Sequence, residues 1–181
     1  MWVQLSLSVP LKATALSGDE GSVGIVYAVN TVITVALQVP LIRFLRKRRQ
    51  PLPALAIGLG ITSLAMSSIA ATQTFFALLV CIAVFSIGNL ISTANQSTVI
   101  AGMALPEARG SYFGMSALAL ALGGSAGNLI GSALYGASTA NGTPAVPWLV
   151  IGGVGALSTV GLWWLNRRRI RAVADEEMVL E

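Results

Sequence analysis

The chain contains no histidine and a single cysteine, Cys81. Those two absences exclude a zinc site built on imidazoles or several thiolates, and a disulfide framework within the chain. Charge is scarce as well. Only 10% of the 181 residues are charged, where a soluble globular domain carries about 25% to coat its surface. A water-soluble fold is therefore not expected. Nor does any nucleophile stand with a base, and there is neither a cluster of metal ligands nor a phosphate-binding glycine loop. The expectation is of a chain that is not an enzyme and holds no cofactor.

The missing charge is distributed in a telling way. No charged side chain lies between Arg49 and Glu107, nor between Arg109 and Arg167. Each silent stretch is long enough for two crossings of roughly 20 apolar residues and a turn. If each goes out and back, the basic sites at Arg43–Arg49, Arg109 and Arg167–Arg171 meet at one membrane face. Of the 11 basic residues, all but Lys12 then fall on that face. This is the positive-inside distribution, which puts that face and the C-terminus in the cytoplasm. The net charge of +4 thus points to anionic lipid headgroups as the partner and not to nucleic acid.

What is present is 55% hydrophobic residues, arranged in spans. Met1 to about Leu16 is apolar but too short to cross, and resembles the second half of a helix whose beginning is missing. Ser17-Gly18-Asp19-Glu20-Gly21 then makes a polar turn. Complete spans are expected over about Val23–Leu45, Leu52–Ala71, Phe75–Met103, Tyr112–Gly136 and Val146–Leu165. Pro51 and Pro53 suit a helix start, and Thr72-Gln73-Thr74 a tight link. Ala137–Ala145 suits a loop on the face opposite the arginines. Trp163-Trp164 followed by Arg167-Arg168-Arg169 is the pattern of a membrane exit. The predicted fold is an all-α, polytopic membrane bundle of five complete spans and one partial span. It occupies residues 1–166, with a cytoplasmic tail, partly helical, at 167–181. The N-terminus has no basic region or cleavage site of a signal peptide.

Polar side chains inside the spans carry the functional signal. Tyr27, Asn30, Thr31, Thr34 and Gln38 recur three or four residues apart and so share a helical face. In hydrocarbon such a stripe must face other helices or a wetted cavity. Both interhelical bonding and cavity lining remain open for it. Ser86, Asn89, Thr93 and Gln96 form a second stripe, with Ser92 and Asn95 beside it, that suits a solvated vestibule. Gly123, Gly127 and Gly131 repeat every four residues, the spacing that lets helix backbones approach closely. Ser125, Asn128 and Ser132 line an adjoining face. Cys81 reads as a small buried hydrophobe. Short of the arginine ends, no acidic or basic side chain lies within a complete span, whereas proton-coupled carriers usually keep a carboxylate there.

These residues resemble a known family. Gly24-Ile25-Val26-Tyr27-Ala28-Val29-Asn30-Thr31, continuing to Gln38-Val39-Pro40-Leu41-Ile42-Arg43, is similar to the eighth helix of major facilitator superfamily transporters, most of all the multidrug-efflux-like branch. Arg43-Phe44-Leu45-Arg46-Lys47-Arg48-Arg49 resembles the degenerate second copy of that family's cytoplasmic loop motif. Pro106-Glu107-Ala108-Arg109-Gly110-Ser111-Tyr112-Phe113-Gly114 resembles the loop between helices ten and eleven. Gln4 with Val9-Pro10-Leu11 resembles the outer half of helix seven. The resemblance implies twelve helices in two halves, of which this chain matches only the C-terminal one. It implies a fragment, a truncated product or a reading frame opened at an internal Met.

By the same resemblance, Gln4, Tyr27, Asn30, Gln38, Asn89 and Asn128 are candidates for the substrate cavity. Arg43, Arg46 and Arg109 fall at the cytoplasmic rim. The expected function is transport of a small organic solute or drug across the cell membrane, with a small-molecule partner only when an N-terminal half is present. The alternative is a non-transporting assembly or scaffold subunit that packs through its glycine faces.

Overall fold

The structure, a computed structural model, describes residues 8–47, 51–143 and 145–179, with side chains described for all of these except positions 46, 47, 139 and 169–179. Six helices follow one another: α1 (Ser8–Ser17), α2 (Gly21–Lys47), α3 (Pro51–Ile69), α4 (Phe75–Met103), α5 (Arg109–Ala140) and α6 (Val146–Val179). A short 3-10 turn, Pro106–Ala108, leads into α5. Five helices are long and apolar enough to cross a membrane, over Gly21–Leu45, Pro51–Ile69, Phe75–Met103, Pro106–Ser138 and Val146–Arg168. The described part of α1, ten residues long, is not among them.

Local chemistry sets most of the helix ends. Gly18, at φ +71°, closes α1, and its N–H donates to the Thr14 carbonyl at 2.9 Å. A left-handed residue at that position is the ordinary helix stop, and glycine enters it without strain. Pro51 opens α3 where a missing N–H costs nothing. Thr74 caps α4, its hydroxyl accepting from the Ala77 N–H at 3.3 Å.

One boundary differs from expectation. Helix α5 continues through Ala137–Ala140, where the composition suits a loop, and stops only near Gly142 at φ +67°. Small residues such as Ala and Ser do not break a helix, whereas Asn141-Gly142 supplies the left-handed exit. The apolar span of α6 ends at Arg168, close to the expected Leu165, and the helix runs on to Val179, in keeping with a partly helical tail. The segment beyond Leu165 contains no glycine or proline to stop it.

The helices are unequally packed. Helix α3 lies between α4 and α6 and makes the most extensive contacts in the chain, while α2 packs chiefly on α4. Helix α5 touches α6, α4 and α1 only sparsely. The buried core gathers Val9 and Ala13 of α1, Val26 of α2, Ala65, Met66 and Ile69 of α3, Leu78, Ile82 and Phe85 of α4, and Trp148 of α6. These positions lie late in α3 and early in α4 and α6, so the core sits towards the end opposite the arginines. Cys81 packs against it, half-buried.

Two close helix crossings hold α3 in place. A Cβ on Gly58 would meet the Ser92 backbone N at 2.8 Å and the Gly88 carbonyl O at 2.9 Å. Reciprocally, a Cβ on Gly88 would meet the Thr62 N at 2.8 Å and the Gly58 O at 2.9 Å. Real Cβ atoms do not come that near, so each glycine is required by the other helix. Thr62 and Ser92 return their hydroxyls to the carbonyls of Gly58 and Gly88, at 2.8 and 3.0 Å. On the other side of α3, Gly152 of α6 sits against Ser67, with the Ser63 carbonyl 3.2 Å from where its Cβ would be.

Candidate functional site

The polar residues of α2 and α4 meet along a seam. Both helices start at the end away from the arginines, so position in the helix measures depth. Asn30 lies nine residues into α2 and Ser86 eleven into α4, roughly 14 and 16 Å along axes that rise about 1.5 Å per residue. Both stand near the middle of a hydrocarbon layer about 30 Å thick. There the Ser86 hydroxyl lies 2.7 Å from Asn30 Oδ1 and 2.7 Å from the Ile82 carbonyl O. Ser86 is buried (1% exposed) and Asn30 is half-buried. This is a polar tie between two membrane helices, open on one side.

Around that tie the predicted residues separate into two groups. On α2, Tyr27 and Gln38 are exposed, and the Thr34 hydroxyl donates to the Asn30 backbone carbonyl at 2.7 Å. Pro40, within α2 on the basic side of Gln38, leaves the Ala36 carbonyl without its helical donor. On α4, Asn89 is half-buried and Thr93 is exposed, with the Thr93 hydroxyl donating to the Asn89 carbonyl at 2.9 Å. Ser92 and Asn95 point the other way. Both are buried; Ser92 meets Gly58, and Asn95 Nδ2 donates to the Ile91 carbonyl at 2.7 Å. The polar content of α4 thus serves helix packing on one face and an open face on the other. Among the described residues, no buried side-chain nitrogen or oxygen lacks a hydrogen-bond partner.

Other predicted residues stand apart from the seam. Asn128 is exposed on α5 and takes no part in the Asn30–Ser86 tie. Gly123 meets nothing within 4 Å where a Cβ would be, and the same holds for the Cβ position of Gly127. Among the described residues, the tight backbone approaches are made at Gly58, Gly88 and Gly152. The physical reason is that α5 has little of its own chain beside it. Gly131, farther along α5, is buried. Gln4 lies outside the described residues, as does the side chain of Arg46.

The basic end is organised by aromatic contacts. Arg43 and Arg109 are exposed, at the last turns of α2 and the first residue of α5. Arg167 and Arg168 lay their guanidinium groups over Trp163 and Trp164, each 3.6 Å from the ring centroid. Stacking of this kind holds the cation on an amphipathic ring. At the opposite end stands Lys12, whose partners could not be read from the sequence. Its Nζ donates to the Ile69 carbonyl at 2.6 Å and sits 5.8 Å from the Trp148 ring centroid. A cation on the last carbonyls of α3 complements that helix terminus, and it joins α1 to α3 and α6. The tight glycine pairs were missed too, although Gly58-Leu-Gly-Ile-Thr62 and Gly88-Asn-Leu-Ile-Ser92 each carry a small-xxx-small spacing.

Comparison with known proteins identifies the family of the chain. The family model of the Major Facilitator Superfamily matches residues 1–179. Among relatives, the multidrug resistance protein MdtH of Klebsiella pneumoniae (strain 342) is 36% identical over 162 residues, covering 90% of this chain and 40% of the relative. MdtH of Aeromonas salmonicida (strain A449) is 36% identical over 155 residues, covering 86% and 39%. MdtH of Yersinia enterocolitica is 32% identical over 171 residues, covering 94% and 43%. The chain spans about 40% of the length of these curated relatives. No solved structure matches.

Proposed function

This chain belongs to the major facilitator superfamily, and from that premise we propose that it is the C-terminal half of a secondary transporter for small organic solutes or drugs. It is a multi-pass membrane protein of helical-bundle fold. The observation that carries the transport reading is the mid-membrane Asn30–Ser86 tie on an otherwise open seam. A polar pair at that depth must be covered by protein or reached by water. The relatives named above are multidrug resistance proteins, which supports an organic substrate of broad type. We place the bundle in the inner or plasma membrane, with the arginine end and the C-terminal tail in the cytoplasm.

In this reading the open faces of α2 and α5 are covered by a second bundle. Rocking between inward- and outward-open states needs two opposed bundles, so this half is inactive by itself. Tyr27, Asn30, Gln38, Asn89 and Asn128 face the solute path, and Arg43 and Arg109 act at its cytoplasmic rim. The chemistry is non-catalytic: binding and release, with no bond made or broken.

Water access tests the proposal against a scaffold role. Cysteines placed by Asn30→Cys and Asn89→Cys on a Cys81→Ala background should react with a membrane-impermeant maleimide in the complete transporter. A solute bound in the path should slow that reaction. Protection of both positions under all conditions would favour a dry assembly subunit.

A further inference from the structure

Helix α6 has two unlike faces. One packs on α3: Trp148 enters the core, Gly152 sits against Ser67, and Thr159 lies 3.5 Å from the Cβ position of Gly60. The other is apolar and uncovered. Val154, Leu157, Val160 and Trp164 recur there three or four residues apart, and each is at least half exposed. This strip runs towards the arginine end and stops at Arg168, the last residue of the apolar span. There Arg167 lies over Trp163 and Arg168 over Trp164, each 3.6 Å from the ring centroid. A guanidinium that close to a ring is in stacking contact through its π face. Its N–H groups stay at the edge, in the fork that matches a phosphate. Among the described residues neither arginine forms an ion pair. The nearest carboxylates farther along α6, Asp175 and Glu176, begin about two turns beyond Arg168, outside the reach of a helical ion pair.

We propose that this end of α6 is a binding site for an anionic phospholipid of the leaflet on the arginine side. The lipid phosphate sits on the two guanidinium groups, and an acyl chain follows the strip from Trp164 to Val154. The tryptophan rings, one turn inside the arginines and about 6 Å deeper, lie between the two at the headgroup level. Charge complementarity sets the choice of lipid. Two adjacent cations repel each other, and a headgroup of net negative charge offsets both, whereas a zwitterionic headgroup brings a further cation to the same spot. General attraction to an anionic leaflet acts equally at Arg43, Arg109 and Arg167. A site differs because stacking holds the two forks in place before the lipid arrives, so less side-chain freedom is lost on binding. The inference stands on the membrane placement of α6 and is independent of whether the chain carries a solute.

Native mass spectrometry tests this on the chain released from nanodiscs of equimolar phosphatidylglycerol and phosphatidylcholine with matched acyl chains. Lipid retained by the chain should be enriched in phosphatidylglycerol roughly fivefold or more, the effect of one interfacial arginine. Arg167→Gln together with Arg168→Gln should return the ratio to that of the bilayer. Arg43→Gln with Arg109→Gln removes the same charge from the same membrane face and should leave the enrichment unchanged. Trp163→Leu with Trp164→Leu keeps both charges and an apolar surface but loses the stacking. It should lower the enrichment about twofold to fivefold, as expected for an exposed cation–π contact. All six side chains are exposed, so each variant should keep the thermal transition of the parent chain. Retention of the two lipids at the bilayer ratio by the wild-type chain would overturn the site. Equal losses in the two arginine pairs would do so as well, since they mark a general surface potential. Enrichment untouched by the tryptophan pair would overturn stacking as its cause. Lipid-free dimers would show that a second copy covers this face and would overturn the proposal too.

Discussion

Helices α3 and α5 are built from similar material, both apolar, both of membrane length and both carrying glycine. Yet 39% of the apolar stretch of α3 is buried inside the chain, against 6% for α5. In α3, Gly58 faces backbone at under 3 Å, and Gly152 of α6 meets its far side. In α5, Gly123 faces open space. What separates them is the neighbour. Lipid tails are as apolar as leucine, so a membrane helix is held by close packing and hydrogen bonds, not by escape from water. A small-residue face is therefore only a capacity, and it stabilises nothing until a matching helix arrives.

The largest effect should come from closing the α3–α4 crossing. Gly88→Leu would drive a branched side chain into the Thr62 backbone and should cost more than about 3 kcal/mol, the upper end of ordinary overpacking. Loss of a cooperative thermal transition in nanodiscs would report it. Next, Trp148→Ala empties a fully buried site in the cluster that joins α6 to α3, and a cost of about 3–5 kcal/mol is expected. Steric trapping or denaturant titration in micelles measures that directly.

Lys12→Met keeps the aliphatic stem but removes the charged donor to Ile69. The expected loss is about 1.5–3 kcal/mol, as for hydrogen bonds to charged groups, read as faster exchange of the α1 amides. Smallest of all is Gly123→Ala. In the chain alone it should be neutral or stabilise by up to about 1 kcal/mol, because alanine is the better helix former. In the complete transporter proposed above, the same change should lower export if the glycine face of α5 receives a partner helix. A destabilised isolated chain would break the contrast between α3 and α5.

The number of spans, their order and the arginine end were legible from charge-free lengths, since hydrocarbon excludes charge over a thickness that chain length can match. The family resemblance was legible from local runs such as those around Asn30 and Arg109. The end of α5 was less so. Ala137–Ala140 reads as loop by composition, but only Asn141-Gly142 contains a residue that stops a helix. At the candidate site, the stripes on α2 and α4 could be placed on helical faces, and both packing and cavity lining were left open. The structure divides them residue by residue, turning Ser92 into the α3 contact, burying Asn95 against its own helix, and leaving Asn89 half-buried and Thr93 exposed.

By itself, then, the sequence determined the solvent this chain folds in, the number of crossings and the end at which the arginines gather. Those follow from how far a charge-free segment must reach across hydrocarbon. Only the tertiary structure decided which glycines face another backbone, that Lys12 ends on the carbonyl of Ile69, and that Asn30 and Ser86 share one hydrogen bond. Each depends on which helix stands beside which, at distances of a few ångströms, and a periodicity along one helix contains no information about the next.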